Sequence, residues 1–201
     1  MTKIQLSEDE MKLVSDPEWI LTKHRVIEKV YQMFGELSAQ MQSYLLQQSH
    51  GLPDQVIQLP PKISKGEQYE AMPYVVLDYP RLFSKEEVFA IRCFFWWGNY
   101  FIITLHLKGK YQQQWHKKIT MAAAEKKLKD FYLSYSGNEF SFDLRSKNYL
   151  SFNEIKSFTE TATEQQTFLK ISYKISFTQW DKAVQKFMEV FKLFISIKQN
   201  D

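Results

Sequence analysis

Polar side chains embedded in an aromatic part of the chain are the first candidates for chemistry. Arg92 lies inside the apolar run 89–107, and His106 lies near the end of that run. Asp78 and Arg81 flank the end of the preceding apolar run. A buried guanidinium is costly unless it is paired and hydrogen-bonded. We therefore expect Arg92 to meet an internal carboxylate, for which Asp78 is a candidate, and the alternative is an anionic ligand.

The same residues define a candidate ligand pocket. An arginine can bind a carboxylate or a phosphate through two parallel hydrogen bonds. Tryptophans beside it would supply the apolar walls that small-molecule sites usually have. No catalytic residue is assigned. The predicted ligand-binding set consists of Asp78, Arg81, Arg92, Trp96, Trp97 and His106.

The run 89–107 predicts a β-hairpin, because its residues are mostly β-branched or aromatic. Residues 98–99 are Gly-Asn, which suits a tight two-residue turn. Counting back from such a turn pairs Arg92 with Leu105 and places Arg92 and His106 on opposite faces, which argues against a shared site. Both faces are apolar, so the hairpin is expected to be central in a sheet.

The remaining patterns predict a single α+β domain, 1–201. A mostly antiparallel sheet of about six strands is expected to pack against a long N-terminal helix and a C-terminal helix. Ser7 and Asp16 are predicted helix caps. The predicted parts are a helical region 1–50 with a long helix 16–50, a linker 51–71, a sheet 72–177 with one inserted helix, and a C-terminal helix 178–198 capped by Thr178.

Two further segments carry specific predictions. Residues 131–144 predict a second hairpin around Gly137 and Asn138, with one apolar face that includes Phe131, Leu133, Tyr135, Phe140, Phe142 and Leu144. Residues 169–177 alternate apolar and polar side chains, which predicts a strand. The polar residues 159–167 between them predict a mobile loop.

The long helix 16–50 has an apolar heptad pattern. Ile20, Ile27, Phe34 and Met41 recur every seven residues. Such a pattern is typical of a coiled-coil seam, so a homodimer through this helix is one interpretation. We favour a helix that lies along the sheet, because Lys23 falls in the seam and Phe34 is large for a dimeric zipper.

Composition excludes several classes of protein. The chain of 201 residues is 44% hydrophobic and 24% charged with a formal charge of +3, which is too weak to indicate a nucleic-acid or membrane partner. One cysteine cannot form an internal disulfide, and no phosphate-binding glycine motif is present. The four histidines lack metal-ligand spacing, so no metal and no cofactor are expected. The first residues lack the apolar core of a signal peptide, which predicts a cytoplasmic protein.

The sequence does not specify an activity. We expect a non-enzymatic binding or interaction domain with a pocket near Arg92 for a small, partly apolar or anionic molecule. One alternative is an enzyme that uses Asp78, Arg81 or His106 in the same cavity. Another is a dimerisation or scaffold module built on the 16–50 helix, without a ligand.

Overall fold

The computed structural model describes residues 4–47, 51–134, 137–155 and 167–199. Within them the helices are α1 (Glu8–Ser15), α2 (Pro17–Gln47), α3 (Asp54–Ile57), α4 (Lys110–Ala124) and α5 (Ala183–Gln199), with a 3₁₀ helix (Phe177–Lys182) before α5. The strands are β1 (Lys62–Tyr69), β2 (Met72–Phe83), β3 (Val88–Trp96), β4 (Tyr100–Lys108), β5 (Tyr132–Ser134), β6 (Tyr149–Ser151) and β7 (Phe168–Ile175). They form one seven-stranded antiparallel sheet in the order β1-β2-β3-β4-β7-β5-β6. The predicted α+β class is confirmed.

The N-terminal helices begin at the predicted caps. The Ser7 Oγ accepts from the Glu10 N–H at 3.2 Å, and the Ser7 N–H donates to Glu10 Oε2 at 2.6 Å, which is a complete capping box. The Asp16 carboxylate accepts from the Glu18 N–H at 2.9 Å and starts α2. At the C-terminus the prediction is displaced. Ser176, and not Thr178, is the cap of the 3₁₀ turn, and α5 begins only at Ala183.

Helix α2 lies along the sheet, as the preferred interpretation of its heptads predicted. Its buried side chains are Ile27, Val30, Phe34, Leu37, Met41 and Leu45. Phe34 meets Phe187 of α5 edge to face, with ring centroids 5.8 Å apart. Since the heptad positions from Ile27 onward pack inside the chain, they cannot also form a seam with a second copy. The part of the predicted helix beyond residue 47 lies outside the described residues.

This packing predicts the effect of a truncation in α2. Phe34→Ala should lower the free energy of unfolding by about 3–5 kcal/mol, the usual cost of removing a buried phenyl group and leaving a cavity. Leu46→Ala on the same helix is the control, because Leu46 is 88% exposed and should change stability by less than about 0.5 kcal/mol. Urea denaturation measures both. Equal losses in the two variants would contradict the described packing.

The central hairpin has a different register from the prediction. Trp96 pairs with Tyr100, so the loop contains residues 97–99 rather than a two-residue turn. The physical reason is that the Trp97 N–H donates to the Pro73 carbonyl at 3.0 Å and so extends the pairing with β2. A shift of one residue exchanges the faces of β4 relative to β3. Arg92 is therefore opposite Thr104, not Leu105, and the expectation that Arg92 and His106 point to opposite faces is wrong.

Two other segments also differ from their predictions. The predicted linker 51–71 contains α3 and the edge strand β1. The predicted second hairpin is wrong, because β5 pairs with β6 at Tyr149–Ser151, and residues 139–144 form turns and irregular structure. Phe131 and Leu133 belong to the core under the helices, whereas Phe142 and Leu144 pack on the opposite face of the sheet. Tyr135 and most of the predicted loop 159–167 lie outside the described residues.

The two faces of the sheet have different covers. The first face carries Phe89, Ile91, Phe95, Phe101 and Ile103 and packs against α2, α4 and α5. The second face carries Val76, Phe94, Trp96, Tyr100 and Ile102 and is covered by residues 137–148, which we call the cover segment. Among the helices of the described ranges, none combines the length and the apolarity needed to cross a membrane.

Candidate functional site

Two rows of polar side chains cross the second face of the sheet. The register places Asp78, Arg92, Thr104, Ser172 and Tyr132 side by side on neighbouring strands, and we call this set the Arg92 row. The next row on the same face contains His106, Lys170, Ser134 and Tyr149, which we call the Lys170 row. Within the described ranges, every buried polar or charged residue belongs to one of these rows. The polar rows are therefore the candidate functional site.

Arg92 meets the expected internal carboxylate. Its Nε and one terminal nitrogen donate to the two oxygens of Asp78 at 2.6 and 2.9 Å, which is a bidentate pair. The guanidinium lies between two aromatic rings, with its carbon 5.4 Å from the ring centroids of Phe83 and Phe142. The Asp78 side chain is 7% exposed and that of Arg92 is 17% exposed. The pair is thus largely withdrawn from water and its partners are interdependent.

Lys170 is the most unusual group of the site. It is fully buried at 0% exposure, and its Nζ donates to the Ser141 carbonyl of the cover segment. The ammonium also lies 4.1 Å from the centroid of the Phe142 ring. Within the described part of the chain no carboxylate forms an ion pair with it. Burial, together with the positive charge of Arg92, lowers the pKa of Lys170 to about 7.

The neighbours of Lys170 in its row have polar atoms without partners. Among the described residues, no group hydrogen-bonds the buried His106 Nε2 or the buried Ser134 Oγ. Glu139 Oε2 is 3.8 Å from His106 Nε2 and is too distant for a hydrogen bond. Burial and the charge of Lys170 lower the pKa of His106 to about 3, so this imidazole is neutral at pH 7. Unpaired buried polar groups are rare in folded proteins and mark this row as a place that a ligand could complete.

The cover segment is fastened to the sheet through its backbone. The Tyr100 hydroxyl donates to the Phe142 carbonyl at 3.2 Å and accepts from the Leu144 N–H at 2.9 Å. The Tyr69 hydroxyl accepts from the Phe142 N–H at 2.5 Å, and the Tyr149 hydroxyl donates to the Ser141 carbonyl at 2.7 Å. Burial raises the pKa of Tyr100 to about 12, so its hydroxyl keeps its proton.

The predicted site residues separate into three groups. Asp78, Arg92 and His106 lie together on the polar rows. Trp96 is on the same face nearer the hairpin tip, with its buried Nε1 unpaired and its ring under the Arg145 guanidinium at 5.4 Å. Arg81 donates to the Pro60 carbonyl at 2.9 Å, and Trp97 packs against Phe95 with the core on the first face. The register aligns Arg81 with the Lys170 row, since Arg81 pairs with Ala90 and Ala90 pairs with His106, but the Arg81 side chain is engaged with Pro60. Trp97 lies outside the polar rows.

The prediction from sequence missed Lys170, Thr104, Ser172 and Ser134. Thr104 and Ser172 are both 0% exposed, and their hydroxyl oxygens are 2.9 Å apart. The alternation of 169–177 identified the strand, but alternation alone does not reveal that the polar side is also covered. The available signal was the pair Phe142 and Leu144, which needed an apolar surface to pack on.

Comparison of the chain with protein-family models, curated protein sequences and solved structures found no match. Within the described ranges, no group of three or more histidine, cysteine, aspartate or glutamate side chains is arranged to hold a metal ion. The functional interpretation therefore depends on the geometry and the charges of the polar rows.

Proposed function

We propose that this protein binds a small, partly apolar anion, such as a carboxylate or a phosphate ester, between the polar rows and the cover segment. The observation that supports the proposal is the ammonium of Lys170, which is fully buried and forms no ion pair with a carboxylate of the described residues. Arg92 is paired with Asp78, so its charge is already balanced. Lys170 is therefore the cation that a ligand would neutralise.

An anion beside Lys170 would compensate several costs at once. Burying an unpaired charge is unfavourable, and a bound anion would supply the missing opposite charge. Its oxygen atoms could accept a hydrogen bond from the Ser134 hydroxyl. The rings of Phe142 and Tyr149, whose centroids are 4.1 and 5.5 Å from Lys170 Nζ, would form the apolar wall. This combination of few polar groups and aromatic walls is typical of small-molecule sites.

The proposal requires the cover segment to move when the ligand binds. The hydrogen bonds that fasten it come from tyrosine side chains of the sheet and from Lys170, not from a strand ladder. They can therefore break without disrupting the pairing of the seven strands. Transient opening of such a local unit is an ordinary property of folded proteins.

Binding is better supported than catalysis by the predicted residues. Both oxygens of Asp78 accept hydrogen bonds from Arg92, so the Asp78 carboxylate would be a poor general base. The pKa of His106 near 3 makes its imidazole a weak proton acceptor at neutral pH. Arg81 lies at the β2 end of the Lys170 row, but its side chain is hydrogen-bonded to the Pro60 carbonyl.

A ligand screen with matched lysine variants tests the proposal. Thermal unfolding at pH 6 with a panel of aromatic carboxylates and phosphate esters should show at least one compound that stabilises the wild-type protein, by about 2.7 kcal/mol at a hundred times its Kd. Lys170→Met should abolish this stabilisation. Lys174→Met is the control, because Lys174 lies on the same strand but is exposed. Equal responses of the two variants to the stabilising compound would contradict a site at Lys170.

A further inference from the structure

The N-terminal part of the chain is a helical arm that the rest of the domain does not cover. Residues 4–22 are all exposed, and α1 buries no side chain. The arm nevertheless carries eight exposed large hydrophobic residues: Ile4, Leu6, Met11, Leu13, Val14, Trp19, Ile20 and Leu21. Single exposed apolar residues are normal, but eight of them within residues 4–21 are more than a solvated helix needs and indicate an interaction surface.

A groove of about 600 Å³ follows the arm along α2 and reaches β1. Its lining is mainly basic, with Lys23, His24, Arg25, Lys29 and Lys65 against the acids Glu28 and Glu67. Two of these bases are engaged within the chain, since Lys23 pairs with Glu67 and Arg25 lies 3.3 Å from Glu18. Lys29 forms no ion pair with any described residue, and the four lysine and arginine residues of the lining outnumber its two glutamates, so the groove retains positive charge.

The arm has the opposite charge. Glu8, Asp9, Glu10, Asp16 and Glu18 lie within residues 4–22, and Lys12 is the one lysine or arginine in this range. Helix α2 runs without a break from Pro17 through the groove residues. Because a continuous helix cannot fold back on itself, residues 17–22 of one copy cannot occupy the groove of the same copy. An acidic arm and a basic groove on one chain therefore complement each other between two copies.

We propose that the arm mediates a symmetric homodimer, in which the acidic, apolar arm of each copy lies against the basic groove of the other. A two-fold axis makes such a contact reciprocal, so that both arms and both grooves are used. The available area is adequate. The eight side chains offer roughly 480–960 Å² per copy when each contributes roughly 60–120 Å² of apolar surface at its observed exposure. Two copies would bury about the area of a standard interface, 1,200–2,000 Å².

This inference does not depend on the proposed anion site, because the arm and the polar rows share no residue. It also differs from a coiled coil along the whole of α2. The heptad residues Ile27, Phe34 and Met41 are buried in the same chain, and only the segment before them is free for a partner copy.

Analytical ultracentrifugation of the full chain over a range of micromolar concentrations tests the dimer. The wild-type protein should show a concentration-dependent monomer–dimer equilibrium. Trp19→Glu should raise the dissociation constant about thirtyfold or more, as expected for a central aromatic contact. Leu46→Asp is the matched control: Leu46 is an exposed apolar residue of α2 outside the arm, and this substitution should leave the equilibrium unchanged.

A charge exchange tests the complementarity. Glu8→Lys and Lys29→Glu should each weaken the dimer about threefold to tenfold, and the double variant should recover most of the loss. Circular dichroism and thermal unfolding of Trp19→Glu should match wild type at concentrations where both proteins are monomeric, since the arm contributes nothing to the core. A monomeric wild-type protein at all concentrations would overturn the proposal. Equal weakening by Leu46→Asp, or no weakening by Trp19→Glu, would overturn it as well.

Discussion

Lys170→Met is expected to raise the free energy of unfolding at pH 6 by about 2–4 kcal/mol. The lowered pKa of Lys170, about 7 against an ordinary 10.5, corresponds to roughly 5 kcal/mol of cost for the charged form. Methionine has a similar shape without the charge, but it loses the contact of the ammonium with Phe142. The Ser141 carbonyl keeps a donor, because the Tyr149 hydroxyl also bonds to it at 2.7 Å.

The sign of the pH dependence follows from proton binding. Between pH 7 and 10.5 the unfolded chain holds the Lys170 proton and the folded protein does not, so wild-type stability should rise with pH in this window. The cost is fully present below pH 7. His106 acts in a separate pH window. Its pKa is 6.5 in the unfolded chain and about 3 in the folded protein, so its contribution to stability rises with pH between those two values. Above about pH 10, Tyr100 ionises in the unfolded chain while it keeps its proton in the folded protein, so this group lowers the free energy of unfolding as the pH rises.

Urea denaturation at pH 6, 8 and 9.5 measures the effect. The wild-type protein should gain stability across these values, with a limiting slope of about 1.4 kcal/mol per pH unit from this one group. Lys170→Met should remove the gain, and the two proteins should converge toward high pH. Lys174→Met, whose side chain is exposed, should keep the wild-type profile. Destabilisation by Lys170→Met at pH 6 would contradict an unpaired buried ammonium.

Asp78→Ala is expected to lower the free energy of unfolding by about 3 kcal/mol. The substitution leaves the Arg92 guanidinium between Phe83 and Phe142 without its carboxylate. Breaking a buried pair from one side usually costs about 3–5 kcal/mol. The lower end applies here, because the Arg92 side chain keeps 17% exposure and can recover some hydration.

The double variant Asp78→Leu with Arg92→Leu distinguishes two costs: the loss of the ion pair itself, and the burial of one charge without its partner. Replacing both partners with apolar residues is often neutral or stabilising, so the double variant should be more stable than Asp78→Ala. Glu189→Ala is the control for a surface pair, since its partner Lys186 is 3.2 Å away and the glutamate side chain is 50% exposed. Its loss should be below about 0.5 kcal/mol. A loss of that size in Asp78→Ala would contradict the structural role of the pair.

The sequence predicted the elements better than the contacts between them. The aromatic run 89–107 identified the central hairpin, and the cost of a buried guanidinium identified the pairing of Arg92 with Asp78. The predicted register was wrong by one residue. Both faces of this hairpin are apolar, so the hydrophobic pattern does not distinguish the two registers. The hydrogen bond from Trp97 to Pro73 decided the loop length, and a contact with another strand is not visible in a local turn pattern.

The candidate site was only partly predictable for a related reason. Lys170 looks like a solvent-facing residue in an alternating strand, and nothing near it in the sequence indicates a cover. The cover comes from residues 137–148, whose aromatic spacing resembles a second hairpin. Tertiary packing overrode this period-two pattern, since Phe142 and Leu144 pack on the second face while Phe131 and Leu133 pack on the first.

Four side chains of the sheet hold the cover segment by its main chain. Tyr69, Tyr100, Tyr149 and Lys170 come from four different strands and all bond to main-chain atoms of the segment. Main-chain atoms are present whatever the residue type, so these bonds impose little restriction on the amino acids at the exposed positions Asn138, Phe140 and Arg145. The segment is therefore suited to randomisation in a library, in which new surface chemistry can be selected on an unchanged sheet.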